Sequence, residues 1–430
     1  MNEWKKVKIG EIFKIEKGSL QSSKCIPGKY DFITAASEWK THESYSHECE
    51  AIVYAVAASG SLGRAHYVNG KFIASDLCFI LTEKDKEKYP INFQFYQLIF
   101  EVIREEIVSK TKTGTSKESI NQKNFSNYEI PYFSFDYQMA NYEKLVNTKQ
   151  KVSKLLEESE KQKSYVKQLR QNILQEAIEG KLTEEWRKEN PVVKGNPDFD
   201  AEALFEKIQE EKDLELLRNS KKKVFESIAE NEQPFEIPEG WKWVRLGELC
   251  NFGNCQSIEP NSLKPNDWIL DLEDIEKDTG RIISIRSFFE NKSQSTKHIF
   301  HKGFVLYSKL RPYLNKVVIA PKNGYCTSEI LPLDFGINNN SRYMQIVLMS
   351  PYFVSYTTRL SYGMKMPRLG TNDGKNACIP LPPLKEQKEI VSCVEKLLAN
   401  VTGLEEQISE RETLTKQMLQ SIMKEAFREG

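Results

Sequence analysis

Apolar and polar residues alternate at the start of the chain, Trp4-Lys-Lys-Val7-Lys-Ile-Gly10-Glu11-Ile12, a pattern that predicts a short strand running into a turn. The same alternation returns as Trp241-Lys-Trp-Val244-Arg-Leu-Gly247-Glu248-Leu249. Two apolar, β-prone runs, 51–58 and 70–81, flank Ser59-Gly-Ser-Leu-Gly63-Arg64 and predict strand, loop, strand. Their echo is Phe304-Val-Leu-Tyr307 and Val317-Val-Ile-Ala320 around a polar loop, with Ala74-Ser75-Asp76-Leu77 answered by Thr327-Ser328-Glu329-Ile330. A helix is predicted over 93–107 and over 340–360, each followed by a polar glycine loop before Ile130-Pro131 or Ile379-Pro380.

Longer helical patterns follow both copies. An offset of 249 superimposes Val152 on Val401, Leu155 on Leu404, Gln171 on Gln420, Ile173 on Ile422 and Ala177 on Ala426. On a 3.5-residue repeat, Val152, Leu155, Ser159, Gln162, Val166, Leu169 and Ile173 fill the inward positions of a coiled coil. Val401, Leu404, Ile408, Arg411, Thr415, Met418 and Ile422 fill them in the twin. Such charged helices are marginal alone, so the two are expected to pack on each other. At the strand-turn start the offset is 237, which puts an insertion of twelve residues inside the second globular part.

This duplication defines an α/β (α+β) fold class, with two tandem homologous globular domains, each followed by a long helix. Two copies related by a pseudo-twofold would pair those helices as an antiparallel coiled coil. Boundaries are expected at 1–137 for the first globular domain, 138–186 for the central helical region, 187–239 for a connector with a satellite helix, 240–385 for the second globular domain and 386–430 for the distal helical region. The connector carries Glu189-Asn-Pro191, a charged helical run over 200–218 and the cluster Lys221-Lys-Lys223.

A chain of 430 residues exceeds one comfortable core, while 39% hydrophobic and 28% charged residues suit a globular protein. No apolar run approaches the roughly 18 residues of a membrane span and no signal core opens the chain, so a cytoplasmic location is expected. Eight scattered cysteines fit reduced, mostly buried thiols. Lysine plus arginine and aspartate plus glutamate balance at 61 each, but 240–385 holds 19 basic against 12 acidic residues, and 1–137 holds 18 of each. The second domain therefore has the excess a phosphate-facing surface needs. Phosphate-loop, nucleophile-elbow and methyltransferase signatures are missing, and His298-x-x-His301 and His42, His47 and Cys49 lack a ligand set at metal spacing, so neither a catalytic residue nor a metal or cofactor is expected.

Polar loops remain as the chemistry. Ser308, Lys309, Arg311, Tyr313, Asn315 and Lys316 combine cations, amide or hydroxyl groups and an aromatic ring between two strands, the mixture that contacts phosphates and base edges. Lys365 and Arg368 beside Gly363 form a second basic loop, and Ser59, Ser61, Arg64, Lys112, Thr115 and Lys117 are the corresponding set in the first domain.

Four stretches in order carry a family resemblance: Leu169-Arg-Gln-Asn-Ile-Leu-Gln-Glu-Ala177, Pro234-Phe-Glu-Ile-Pro-Glu-Gly-Trp-Lys-Trp-Val-Arg-Leu-Gly-Glu248, Tyr307-Ser-Lys-Leu-Arg-Pro-Tyr-Leu-Asn-Lys316 and Ile379-Pro-Leu-Pro-Pro-Leu-Lys-Glu-Gln387. Around an internal duplication, they resemble the DNA specificity subunit of Type I restriction-modification enzymes. The resemblance implies two target-recognition domains, each reading half of a split sequence in double-stranded DNA. It also implies helices that dock two DNA methyltransferase (M) subunits, with restriction (R) subunits left open, and catalysis residing in those partners. Where the second copy has Pro-Leu-Pro-Pro-Leu, the first has Ile130-Pro-Tyr-Phe-Ser-Phe-Asp-Tyr-Gln138, a departure at its exit turn. The alternative is a non-catalytic helical scaffold whose α/β domains bind protein.

Overall fold

The computed structural model describes residues 4–57, 60–113, 118–216, 225–291 and 295–426. Two compact units share the chain: unit 1 comprises residues 1–161 and 408–430, and unit 2 comprises residues 162–407. In unit 1, β1 (Trp4–Lys8), α1 (Ile9–Ile12), β2 (Phe13–Lys17), β3 (Tyr30–Ile33), β4 (Lys40–His42), β5 (His47–Ala55), β6 (Ala65–Ala74) and β7 (Cys78–Glu83) come first. Then follow α2 (Phe93–Val102), α3 (Arg104–Thr111), β8 (Lys112–Thr113), β9 (Ser119–Ile120), α4 (Gln122–Asn127), β10 (Glu129–Phe133) and the start of α5 (Phe135–Ile178). The main sheet has the order β2-β7-β5-β6-β3-β4 and is antiparallel except where β3 runs parallel to β6.

Unit 2 continues through α6 (Glu184–Glu189), α7 (Ala201–Leu216), β11 (Lys242–Arg245), α8 (Leu246–Leu249), β12 (Ser257–Ile258), β13 (Trp268–Leu270), β14 (Arg286–Ser287), α9 (Phe288–Asn291), β15 (Lys297–Phe300) and β16 (Val305–Ser308). It closes with β17 (Val317–Ile319), β18 (Gly324–Thr327), β19 (Ile330–Leu333), α10 (Ser341–Met349), α11 (Pro351–Leu360), α12 (Thr371–Asn376), β20 (Cys378–Leu381) and α13 (Leu384–Ala426). Its sheets have the orders β12-β15-β18-β13-β14 and β17-β16-β19. The satellite helix is α7; Lys221-Lys-Lys223 lies outside the described residues.

The alternating stretches that opened the sequence serve the same purpose in each unit. β1 pairs with β10, placing Val7 opposite Ile130, and β11 pairs with β20, placing Val244 opposite Ile379. Each ribbon therefore ties the start of a globular part to the strand that feeds its long helix. A buried glutamine locks each junction. Gln138 donates through Nε2 to the carbonyls of Pro90 (3.0 Å) and Phe133 (2.9 Å), and accepts at Oε1 from the Asn92 backbone N–H (2.7 Å). Gln387 donates to the Pro382 carbonyl (3.0 Å) and accepts from the Asn340 N–H (2.9 Å). Asn92 and Asn340 in turn cap α2 and α10 through their side chains.

The central hairpins differ instructively. In unit 1, β5 and β6 pair without interruption from His47↔Phe72 to Tyr54↔Ala65. The same pairing in unit 2 is divided: β15 pairs with β18 and β16 with β17, separated by 301–304 and 320–323. Gly303 sits at φ +91° and Pro321 lacks an N–H, so neither position favours a continuous ladder. One expectation fails here: 70–81 is not a single strand, since Ser75 to Leu77 form a turn between β6 and β7. Each helix expected before the glycine loops is likewise broken in two, in the second copy because Pro351 starts a new helix capped by Ser350.

The long helices depart from the expected phase. Val152, Ser159, Val166 and Ile173 are buried, but Leu155 and Leu169 are 51% and 43% exposed. Leu404 and Met418 are exposed as well, at 43% and 48%. The inward positions after Val152 and Val166 are taken one residue later, by half-buried Leu156 and buried Arg170. In unit 2 the two helices run antiparallel: Arg170 donates to Glu405 (3.0 Å) and Thr402 (3.4 Å), while Thr183 and Arg187, beyond the end of α5, reach Glu386 near the start of α13. In unit 1, Met423 joins the core cluster that contains Leu145, with Tyr142, Val146 and Leu419 packed against it. Buried Ser159 bonds back to the Leu155 carbonyl, so this polar seam position satisfies itself.

Candidate nucleic-acid interface

In each unit the candidate loop joins the two strands of the central hairpin. In unit 1 that is the turn between β5 and β6, whose residue Ser59 lies outside the described residues. Arg104, which no local motif marks, holds it from α3: Nε donates to the Leu62 carbonyl (2.7 Å) and Nη2 to that of Gly60 (3.2 Å). Arg64 donates to the Ala35 carbonyl (2.8 Å) and to the Ser61 hydroxyl (3.3 Å). Gly63, at φ +80°, passes so close to α3 that a Cβ would stand 2.6 Å from Val108. Arg64 and Arg104 line an open cleft of about 550 Å³ with Trp39, His66 and Gln97. The Trp39 indole donates to His66 Nδ1 (3.2 Å), and burial lowers the His66 pKa. Lys112 pairs with Glu118 at 2.7 Å, and Thr115 and Lys117 lie outside the described residues.

Unit 2 builds its loop, 309–316, on two residues in the left-handed region, Arg311 (φ +50°) and Asn315 (φ +48°). A non-glycine residue there costs of order 1–3 kcal/mol and persists only when its surroundings hold it. Here they do: Arg311 N–H donates to the Pro367 carbonyl (2.7 Å), and buried Asn315 donates through Nδ2 to that of Met349 (3.0 Å). Buried Ser308 bonds to the Leu310 carbonyl (2.8 Å), and Lys316 reaches the Leu272 carbonyl (2.5 Å) with its pKa lowered by burial. Ser308 thus turns its hydroxyl into the loop, while Asn315 and Lys316 anchor the loop to carbonyls elsewhere in the unit. Tyr313 is exposed and Lys309 half-exposed.

The second basic loop is zipped onto the first. Leu369 N–H donates to the Lys309 carbonyl (2.9 Å), and Arg311 Nη2 to that of Lys365 (3.2 Å). Arg368 is not a bare cation: Nε donates to both Glu329 oxygens (3.0 and 3.1 Å), and this bonding raises its pKa. Glu329 stood in the sequence as part of the Thr327–Ile330 echo, but nothing local marks it as a partner for a residue 39 positions away. Lys365 is exposed at the tip. The metal-like histidines have ordinary partners, His298 on the Ile330 carbonyl and His42 on Ile26.

Compared with known proteins, the chain matches the family described as Type I restriction modification DNA specificity domain twice, over residues 1–168 and 238–411. The chain belongs to this Type I specificity family. Among its curated relatives, the Type I restriction enzyme EcoDI specificity subunit of Escherichia coli is 27% identical over 99% of this chain and 88% of its own. The EcoKI specificity subunit of Escherichia coli strain K12 is 24% identical over 75% of this chain and 61% of its own. A solved chain from a study of complex assembly and conformational transition of the type I R-M system shares the fold, with TM-score 0.62 and 16% identity over 99% of this chain and 98% of that one. Both family matches begin at a ribbon strand or just before it and extend into a long helix, so the duplication read from the sequence is also the family's unit of repetition. This Type I specificity chain is mixed helix and sheet, with two tandem copies each leading into a long helix.

Proposed function

We propose that the chain is the non-catalytic, sequence-reading subunit of a Type I restriction-modification assembly, with one globular domain (1–137 and 240–385) for each half of a split DNA target and helical regions that dock methyltransferase subunits. One observation carries this reading: in a duplicated chain of the specificity family, the same hairpin-end loop occurs once per unit, rigidly braced and furnished with cations. Bracing matters because base recognition needs donors held in place before DNA arrives, whereas phosphate attraction alone does not. In unit 2 the outward-facing groups are Lys309, Tyr313 and Lys365; Ser308, Arg311, Asn315, Lys316 and Arg368 shape the loops that present them. In unit 1 the matching role falls to Ser61, Arg64 and Lys112, together with Ser59, Thr115 and Lys117.

Docking is supported by the helices' outer faces. Tyr165 and Leu169, one turn apart, are both exposed, as are Leu414 and Met418. Large apolar side chains repeated along one face suit a protein partner better than water. The test is binding of the purified chain with its methyltransferase to duplexes of differing sequence, with and without alanine at Lys309 and Lys365. Selective binding that weakens in the variant is expected; binding indifferent to sequence would refute the reading. Unchanged DNA binding by the variant would favour the protein-binding scaffold.

A further inference from the structure

The loop from Tyr362 to Arg368 is closed by two backbone bonds, Tyr362 N–H to the Arg368 carbonyl (3.1 Å) and Arg368 N–H to the Tyr362 carbonyl (2.9 Å). It is braced by Arg311, which donates to the carbonyls of Lys365 and Pro367, and by the Arg368–Glu329 pair, so it is a stiff stub rather than a loose tether. Gly363, at φ +106°, makes the tight bend that a side chain would resist. What the stub presents is unusual for a surface turn: Met364 is fully exposed, Tyr362 is 65% and Met366 45% exposed, and Tyr313 stands on the adjoining loop. Turn tips ordinarily carry small polar residues, because exposed apolar area is unfavourable in water by about 25 cal/mol per Å². Lys365 stands within this apolar tip, half-exposed Lys309 lies on the adjoining loop bonded to Leu369, and Glu329 is held by Arg368.

A narrow apolar projection flanked by two lysines fits one macromolecular surface well: a polyanion whose interior is a stack of apolar rings. We infer that the 362–366 stub is a wedge, with Met364 and Tyr362 parting one base step of duplex DNA while Lys309 and Lys365 grip the phosphates beside it. This inference rests on the DNA-reading role proposed above. Unstacking is least costly at flexible pyrimidine–purine steps, so the wedge selects such a step by its deformability, without a hydrogen bond to either base. The first copy has no counterpart, since Lys112-Thr-Gly114-Thr-Ser-Lys117 contains no large apolar residue. The wedge therefore acts on the half-site read by residues 240–385 alone.

The chain, assembled with its methyltransferase partner, is titrated onto target duplexes carrying 2-aminopurine at successive positions of that half-site, outside the methylated base. Fluorescence is expected to rise several-fold at one step and to fall back in Met364→Ser. That variant should bind the target about tenfold more weakly, yet retain its preference at the other half-site and its melting temperature. Lys365→Ala, by contrast, should weaken binding at every sequence. Fluorescence that stays quenched throughout, beside intact selective binding, would overturn the wedge and leave the DNA-reading role standing. A rise that survives Met364→Ser would belong to base extrusion by the methyltransferase and would also overturn it, as would loss of partner binding instead of DNA binding in that variant. Binding without sequence preference would remove the reading and the wedge together.

Discussion

Glu386 shows how one residue can hold a junction. It is 2% exposed and accepts from Trp241 Nε1 (2.7 Å), Thr183 Oγ1 (2.7 Å) and Arg187 Nη1 (2.6 Å), joining the segment after α5, the strand region that opens the second globular part and the start of α13, all within unit 2. Glu386→Ala would leave a largely buried guanidinium and two donors without their acceptor, a loss of about 3–5 kcal/mol. Denaturant unfolding should show it as an early transition of unit 2, with Glu386→Gln retaining part of the stability. Neither this cluster nor Arg368–Glu329 was legible in the sequence, because their partners are separated by tens to hundreds of positions and nothing local ties them. The loop cations were legible by type. Which of them face outward was not, since Lys309 and Lys316 look alike until Lys316 is seen to reach the Leu272 carbonyl.

At the scale of elements, the repeat, the hairpin loops and the two long helices could all be read from spacing alone. The helices' inward face lies one residue away from the seam that the spacing predicts, and the cause is physical. A seam that alternates steps of three and four is ambiguous when consecutive leucines, Leu155 and Leu156, offer either step. Arg170 resolves the ambiguity with a long apolar stem and an ion pair to Glu405, chemistry that a search for apolar residues passes over. Had the helices kept the expected seam, Leu169 and Met418 would be inside, and Tyr165 and Leu414 would each lose the apolar neighbour one turn away. If the helices set the spacing of the half-sites, adding seven residues to each, within 151–167 and at the matching site of the twin, keeps the seam in phase and adds about 10 Å of helix. The unread gap should then lengthen by about three base pairs, as mapped methylation would show, with both half-sites unchanged. A changed half-site with the old gap would refute the ruler.

For the whole molecule, the proposed role makes assembly as important as recognition. Tyr165→Glu with Leu169→Glu places two charges on an exposed helical face, where they should not unfold the chain but should prevent co-purification with the methyltransferase. Size-exclusion chromatography of the mixed subunits would report this, and an unchanged complex would move the docking surface elsewhere. DNA methylation in cells should disappear with the complex. No helix among the described residues is long and apolar enough to cross a membrane.

Gln138 and Gln387 also suggest where such a chain can be cut and rejoined. Each glutamine bonds to residues on its N-terminal side: Pro90, Asn92 and Phe133 for one, Asn340 and Pro382 for the other. A splice placed immediately after either glutamine would carry a donor's globular part across with its own latch already closed, leaving the host helix to begin from a finished joint. Grafts made there should fold with fewer compensating changes than grafts made a few residues earlier, at the ribbon strands, where both halves of the latch would have to come from different parents.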